Sequence, residues 1–307
     1  MKQQSVLFTY GLVFFVMILW GVNVVMLKVL VDTFPATTMT SFRIMTAGIA
    51  ATAILLVTRN MRRLTAKEWK YTILGTVFGV VAHHFFLAEG LTQTGASNAV
   101  LILALLPLTT SVLAILMLGD RLTKWRFLGI VLAFIGVLFI QGGAGSWSID
   151  RGELYIFVAM LVQAISFIYI KKATATLDSR QMTGMMLLIG SLGLFGVSLL
   201  LEPGGTQAMV GAPLSVYVIF FISAIFATAV GHFLFNGAIE RIGAGQTAIF
   251  NNFVPFFGLL SSSIFLKEQI YWYQTFGFLF IVIGVLFGTG YVERAILKRR
   301  VSHQKSA

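Results

Sequence analysis

The sequence GIVLAFIGVLF at residues 129–139 recurs as GFLFIVIGVLF at residues 277–287, which is 148 positions further along the chain. The same offset aligns His84 with His232 and Pro107 with Pro255 without a gap. Apolar residues match easily in a chain of this composition, whereas shared His, Pro and Gly positions do not. The chain therefore contains an internal repeat. We place its two copies at residues 1–145 and 146–292, followed by a basic tail at 293–307.

Both copies consist of apolar segments about as long as a bilayer is thick. A transmembrane helix needs about 20 predominantly apolar residues. This criterion divides the chain into ten segments: 6–31, 37–58, 71–91, 96–118, 127–141, 153–172, 182–201, 214–236, 244–266 and 272–291. The first segment is too long for the apolar part of a signal peptide, so we expect it to remain as a span. We predict an all-α integral membrane protein with ten transmembrane helices, of which the fifth is short.

Each copy holds five predicted spans, so the second copy must enter the membrane in the opposite orientation to the first. Secondary transporters commonly have such inverted repeats, with a binding site near the midplane between the two copies. The repeat therefore favours a transporter over an enzyme. A duplicated channel or structural protein is the alternative reading of the same pattern.

The composition supports a membrane location. Hydrophobic residues make up 58% of the chain and charged residues only 11%, against about 25% charged in soluble domains. This excludes a cytosolic enzyme, a nucleic-acid-binding domain and a disordered protein. The formal net charge of +11 comes from Lys and Arg clusters on one side of the predicted topology, including Arg59, Lys124 and Lys171. Because such clusters stay in the cytoplasm, we predict cytoplasmic termini and no nucleic-acid partner.

The sequence contains no cysteine, which removes disulfides and thiolate metal sites from consideration. Neither the phosphate-binding pattern G-x-x-x-x-G-K-[ST] nor the zinc pattern H-E-x-x-H occurs. We accordingly expect no cofactor and no metal, with a small-molecule solute and the lipid bilayer as partners. The oligomeric state cannot be read from the sequence.

Motifs around the fourth and fifth spans resemble a known family. In the first copy they are Gly95-Ala96, Pro107, the run Leu118 to Thr123, and Gly129 with Gly136. The second copy has Gly243-Ala244, Pro255, the run Leu266 to Gln269, and Gly277 with Gly284. Over nearly its whole length the chain resembles the EamA family of the drug/metabolite transporter superfamily. Asp120 and Gln269 depart from the family pattern, which often has Glu and Arg there.

The resemblance implies a ten-helix transporter in the inner membrane of a bacterium. Its implied activity is export of small metabolites, such as amino acids or their derivatives, by alternating access at a central cavity. It does not identify the metabolite. A facilitative uniporter or a drug-type efflux protein is the alternative within transport.

Pro107 and Pro255 are the first candidate functional residues. Each removes a backbone hydrogen bond from its helix, and interrupted helices at matching positions of two repeats point to a transporter's binding site. We expect the two prolines to shape the gates or the cavity. A simple packing kink is the alternative.

Polar and aromatic side chains within the spans are the other candidates, because burying them in hydrocarbon is costly. Trp20 and Asn23 share one face of span 1. The repeat mates His84 and His232 can change charge between about pH 5 and 8, and we expect them toward opposite ends of the protein. The predicted substrate-binding set is Trp20, Asn23, His84, Asn98, Gln163, His232, Asn236, Asn251 and Asn252. Each could instead be satisfied by a neighbouring helix.

Three charged residues within the spans remain. Glu89 could carry a coupled proton or simply reach the membrane interface. Lys28 can extend its stem to the headgroups, and Arg43 either pairs with a local partner or lines an anion path.

Other classes of protein would use these groups differently. A nucleotide-sugar or lipid-intermediate carrier would need more cationic lining than Lys28 and Arg43 provide. A membrane enzyme would require His83, His84, His232 and Glu89 to converge, which the inverted repeat disfavours. A non-transporting scaffold would have a sealed, apolar interior.

Overall fold

The computed structural model describes residues 6–58, 61–118, 122–143, 150–242, 250–251, 253–288, 290 and 292. Predictions that concern Arg59, Asp120, Asn252 or the tail at 293–307 lie outside the described residues, as does the side chain of Asn236. Within the described ranges, the chain folds into long helices joined by short connections.

The first half contains five helical rods. They are α1 (Val6–Thr33), α2 (Ala36–Val57), α3 (Ala66–Thr76, Val77–Ala82 and His83–Gln93), α4 (Ala96–Leu103 and Leu106–Leu118) and α5 (Lys124–Gly143). The central piece of α3 is π-helical. In α4, Ala104 and Leu105 form a turn between the two pieces.

The second half repeats this order. Its rods are α6 (Arg151–Ala173), α7 (Ser179–Leu201), α8 (Leu214–Phe221, Ile222–Val230 and Gly231–Ile242), α9 (Phe253–Phe265) and α10 (Trp272–Gly288). The central piece of α8 is also π-helical, and a one-turn helix, Gly205–Ala208, follows α7.

Seven rods in the described part of the chain, α1 to α4 and α6 to α8, are long and apolar enough to cross a membrane. Two others, α9 and α10, are apolar but shorter. These lengths fit a multi-pass membrane protein, while the tenfold crossing stays a prediction.

Local capping explains two differences from the sequence-based boundaries. We expected the third span to begin at residue 71, but Thr65 and Glu68 form a reciprocal capping box that starts α3 at Ala66. The fifth apolar segment was predicted at 127–141, whereas the helix that contains it, α5, has 20 residues. The Thr123 hydroxyl accepts a hydrogen bond from the N–H of Arg126, so the helix begins within polar residues before the apolar run.

The two halves pair with each other through equivalent helices: α2 packs on α7, α4 on α9 and α5 on α10. The α5–α10 contact is reciprocal. A Cβ atom added to Gly129 would lie 2.5 Å from the carbonyl oxygen of Gly284, and one added to Gly136 would lie 2.6 Å from that of Gly277. Since Gly129 matches Gly277 and Gly136 matches Gly284 in the repeat, these helices cross antiparallel about a local two-fold axis. Only glycine permits such close backbone contact.

Hydrogen bonds mark the two ends of the bundle. At the basic end, the guanidinium of Arg62 donates to the carbonyl oxygen of Thr176 at 2.7 Å. At the opposite end, the Glu202 carboxylate accepts from the N–H groups of Thr37 and Thr38. The ends of α2 and α6 thus meet the starts of α3 and α7 at the basic end, and the end of α7 meets the start of α2 at the opposite end.

Candidate functional site

Two π-helical segments lie in the middle of the bundle. Val77–Ala82 in α3 and Ile222–Val230 in α8 occupy equivalent places in the repeat. After them, the N–H of His83 bonds the carbonyl of Phe78, and the N–H of Gly231 bonds that of Phe226, five residues back in each case. π-helical turns occur frequently at functional sites. The side chains that follow these segments are therefore candidate functional groups.

Three imidazoles follow the π-helical segments or stand beside them, and each meets a backbone carbonyl through Nδ1. The distances are 2.9 Å from His83 to Ala159, 3.2 Å from His84 to Val80 and 2.6 Å from His232 to Thr228. A carbonyl oxygen only accepts, so each Nδ1 carries the hydrogen. Each neutral imidazole then presents Nε2 as an acceptor.

Arg43, in the first half of α2, is a charged group close to these imidazoles. It is only 2% exposed and lies close enough to His83, His84 and His232 to interact electrostatically with all three. Its Nη1 donates to the hydroxyl of Thr228 at 2.9 Å and, more weakly, to that of Ser223 at 3.4 Å. Both acceptors lie in the π-helical part of α8.

Trp20 and Asn23 join the cluster from α1. The Trp20 Nε1–H donates to the carbonyl oxygen of Ala227 at 2.9 Å, and its ring lies 5.1 Å from that of His232. The Asn23 side-chain oxygen accepts from the Ser223 hydroxyl at 2.6 Å. We call the following eight residues the central cluster: Trp20, Asn23, Arg43, His83, His84, Ser223, Thr228 and His232.

The positions of the two repeat-mate histidines correct one expectation. We expected His84 and His232 to lie apart, toward opposite ends of the protein, but they are close enough to interact electrostatically. The reason is that each follows a π-helical segment in the middle of its rod, so both lie near mid-depth. Among the described residues, no group of three His, Asp or Glu side chains is arranged to hold a metal ion.

Asn98 belongs to a different network. Its amide nitrogen donates to the carboxylate of Glu153 at 2.9 Å, and its oxygen accepts from the amide of Gln274 at 3.0 Å. These groups tie the starts of α4, α6 and α10 together at the opposite end of the bundle.

Gln163 and Asn251 each have a buried side-chain oxygen without a hydrogen-bond partner among the described residues. Neither oxygen is hydrogen-bonded to a described residue of the central cluster. Both stay candidate binding residues.

Glu89 and Lys28 have partners toward the opposite end. Glu89 accepts a hydrogen bond from the Thr37 hydroxyl at 2.8 Å. Lys28 donates to the carboxylate of Asp32 at 2.9 Å and to the carbonyl oxygen of Leu91 at 2.8 Å. Lys28 is therefore held by neighbouring groups of the bundle in addition to any contact with headgroups.

Both prolines lie just after an interruption in their helices. Pro107 is the second residue of the segment that follows the Ala104–Leu105 turn, and Pro255 is the third residue of α9, which follows a turn at Asn251. Proline is tolerated in a first helical turn because no backbone donor is required there. Their role as gates stays a prediction.

The packing of apolar side chains differs between the two ends. Toward the opposite end, one buried cluster joins α1, α2, α3, α4, α6, α8, α9 and α10. We call it the apolar seal, and Leu27, Leu30, Leu91, Val100 and Phe220 are among its members.

Nearer the basic end, the buried apolar side chains of the described residues divide into three separate clusters. One lies on α1 and α8, with partly buried side chains of α9 packed against it. Another joins α2, α3, α6, α7 and α8, and the third joins α4, α5 and α10. Within the described residues, the apolar packing is therefore a single cluster toward the opposite end and three smaller clusters toward the basic end, each of which contains helices of both halves.

Sequence reasoning missed the parts of the site that depend on the π-helices. Ser223 and Thr228 are five residues apart, a spacing that puts side chains on different faces of an ordinary α-helix. A π-helical turn brings both toward Arg43. Small hydroxyl residues are common in membrane helices, so no signal in the sequence distinguished these two.

A model of the EamA-like transporter family matches this chain twice, over residues 7–142 and 150–289. The chain therefore belongs to the EamA-like transporter family, and it is a multi-pass membrane transporter built from two copies of the family's unit.

Individual relatives agree with this assignment. The uncharacterized transporter YyaM of Bacillus subtilis (strain 168) is 29% identical over 256 residues, covering 80% of this chain and 83% of the relative. The uncharacterized transporter YvbV of the same strain is 25% identical over 291 residues, covering 93% and 92%. A solved crystal structure superposes with a TM-score of 0.68 over 93% of this chain and 97% of its own, at 16% identity. That likeness supports the fold alone.

Proposed function

We propose that this transporter exports a small metabolite, such as an amino acid or an amino-acid derivative, by alternating access at the central cluster. The difference between the two ends of the bundle carries the proposal. A polar cluster lies at mid-depth, with a continuous apolar seal on one side and divided apolar packing on the other. A carrier poised to take up solute from one compartment requires this asymmetry.

The orientation completes the proposal. The basic end carries Arg62, Lys67 and Lys171, and the positive-inside rule places such residues in the cytoplasm. The proposal requires the central cluster to be reached from the cytoplasm of a bacterial inner membrane, with the apolar seal closing it on the outer side. An exporter must load its solute in this state.

Alternating access predicts that the seal opens when the other side closes. In the repeat, α1 corresponds to α6 and α8 corresponds to α3. An outward-open state would therefore bring these helices together at the basic end and separate them at the apolar seal. Single cysteines report such a change directly, since the native chain contains none.

The experiment uses two single-cysteine variants, Leu30→Cys in the seal and Leu234→Cys in the basic half of α8. Both are labelled with a membrane-impermeant maleimide, applied from either side of oriented vesicles. We expect slow labelling of Leu30→Cys from outside, accelerated by a transported solute, with Leu234→Cys slowed by the same solute. Equal labelling of both positions at all times would indicate a continuous channel and contradict the carrier proposal.

Transport itself is measured as uptake of labelled amino acids into proteoliposomes, with and without an imposed proton gradient. Glu89 is the proposed proton-coupling residue, so Glu89→Gln should abolish the response to the gradient while leaving downhill exchange. Uptake that ignores the gradient in the native protein would leave a facilitative uniporter and remove Glu89 from this role.

A further inference from the structure

The guanidinium of Arg43 carries a buried charge that has no counter-ion among the described residues. No carboxylate among the described residues pairs with it, although the side chain is only 2% exposed. The partners of Arg43 are the neutral hydroxyls of Thr228 and Ser223. An unpaired buried charge is strongly destabilising. An anionic group of a bound solute would supply the missing counter-charge.

The hydrogen bonds of Arg43 occupy only one edge of the guanidinium. Nη1 is bound to α8, whereas Nε has no partner, and no hydrogen bond is formed by Nη2 within the described residues. Nε–H and Nη2–H point in parallel along the side edge of a guanidinium. This edge matches the two oxygens of a carboxylate.

The imidazoles around Arg43 supply the complementary chemistry. With Nδ1–H directed at backbone carbonyls in His83, His84 and His232, each Nε2 is an acceptor. None of these Nε2 atoms has a hydrogen-bond partner within the described residues. The central cluster therefore combines the cationic Nε–Nη2 edge of Arg43 with three imidazole Nε2 acceptors. This combination suits a solute that bears both an anionic group and a hydrogen-bond donor.

We infer that Arg43 binds the carboxylate of the transported solute through its Nε–Nη2 edge, while imidazole Nε2 atoms accept from an amine or hydroxyl group of the same solute. This inference rests on the proposed function and makes it specific, because it requires a carboxylate. The Trp20 ring, 5.1 Å from that of His232, is the aromatic group that we expect to contact the remainder of the solute.

Substitution of Arg43 separates this role from a structural one. The Thr228 hydroxyl donates to the carbonyl of Ser223, and the Ser223 hydroxyl donates to Asn23. Removing Arg43 thus leaves neither donor unsatisfied. Without solute, we expect Arg43→Met to raise the melting temperature by about 2–4 °C, as expected from the loss of an unpaired buried charge. An arginine that holds the fold together would give a lower melting temperature instead.

Ligand binding is measured as thermal stabilisation of the purified, detergent-solubilised protein. The probes are the L-amino acids, their carboxamides, the matching decarboxylated amines and the matching 2-hydroxy acids. We expect at least one amino acid or hydroxy acid to stabilise the native protein, with its carboxamide and its amine at least 10-fold weaker. Arg43→Met and Arg43→Lys should abolish this stabilisation, whereas Arg180→Gln, which changes an arginine at the basic end, should not affect it.

The outcomes distinguish this inference from the transport proposal. If no carboxylate stabilises the native protein, or if Arg43→Met binds carboxylates as well as the native protein does, Arg43 has no such role. Transport of amines or carboxamides that is unchanged in Arg43→Met would overturn the inference while leaving the carrier intact. Arg43-dependent binding of a carboxylate without any transport would support the site and contradict the carrier.

Discussion

The carboxylate of Glu268 accepts a hydrogen bond from the backbone N–H of Ser97 at 2.8 Å, which joins the end of α9 to the start of α4. It also accepts from the N–H of Ala96 at 2.9 Å. Nearby, the hydroxyls of Ser97 and Ser262 lie 2.7 Å apart. A residue of the second repeat thus caps a helix of the first, on the side of the protein that holds the apolar seal.

Loss of this cap should weaken the helix packing on the side of the protein that the apolar seal closes. An acidic N-terminal cap contributes about 0.5–2 kcal/mol, and we expect Glu268→Ala to lower the free energy of unfolding by this amount. The substitution should also accelerate maleimide labelling of Leu30→Cys in the seal. Asp178→Ala is the matched control, since Asp178 caps α7 at the basic end. If Asp178→Ala accelerates the labelling equally, the effect is general loosening and the gating role of Glu268 is wrong.

The backbone of Lys267 adopts a left-handed conformation that directs the next residue, Glu268, toward α4. Its φ angle of 57° is in the left-handed region, which costs a residue with a side chain about 1–2 kcal/mol. We therefore expect Lys267→Gly to raise the free energy of unfolding by about 1 kcal/mol, measured by denaturant titration in detergent. Lys267→Ala removes the exposed side chain but keeps the strain, so its stability should stay near that of the native protein. A gain in both variants would indicate that the lysine charge, and not φ, is the cause.

The glycine contact between α5 and α10 should tolerate no added methyl group. A Cβ atom at residue 136 would lie 2.6 Å from the carbonyl oxygen of Gly277, and overpacking of this kind costs about 1–3 kcal/mol. Gly136→Ala should therefore lower the unfolding midpoint. In Gly196→Ala, by contrast, the new methyl group meets nothing within 4 Å, and the higher helix propensity of alanine should make this control neutral or stabilising. Equal stabilities would show that the two helices can move apart without cost.

A substitution at Gly231 tests the position of Trp20. An added Cβ atom would lie 2.8 Å from the indole Nε1, so Gly231→Ala should displace the ring from the carbonyl of Ala227 and from His232. We expect about a 10-fold loss of solute affinity, equivalent to about 1.4 kcal/mol, and a lower melting temperature because the Trp20 hydrogen bond is lost. The same Gly196→Ala control should bind normally. Unchanged affinity in Gly231→Ala would place the solute away from Trp20.

The sequence predicted the parts of the fold that repeat. Apolar length alone located most helices to within a few residues. The repeat matched Gly129 with Gly277 and Gly136 with Gly284, and the structure places these glycines in one antiparallel helix contact. Helix ends were less accurate where polar caps extend a helix beyond its apolar run, as Thr65 and Thr123 do. A hydropathy criterion does not register such caps.

The site was harder to predict because it depends on helix phase. Trp20, Asn23, His84 and His232 were identified as candidates, and the structure brings them together around Arg43. Asn98 looked equally promising in the sequence but points to Glu153 and Gln274 instead. Ser223 and Thr228 were missed because a π-helical turn changes which residues share a face of the helix. The local sequence contains no pattern that predicts this turn.

The reciprocal contact of Gly129 with Gly284 and of Gly136 with Gly277 is the kind that two identical subunits make in a homodimer. The present chain carries both partners on one polypeptide. A gene encoding residues 1–145 alone would yield a unit whose glycine surface is complementary to itself. Two such units would pair through this surface only if inserted in opposite directions, so the antiparallel crossing of α5 and α10 fixes the relative orientation of the two halves.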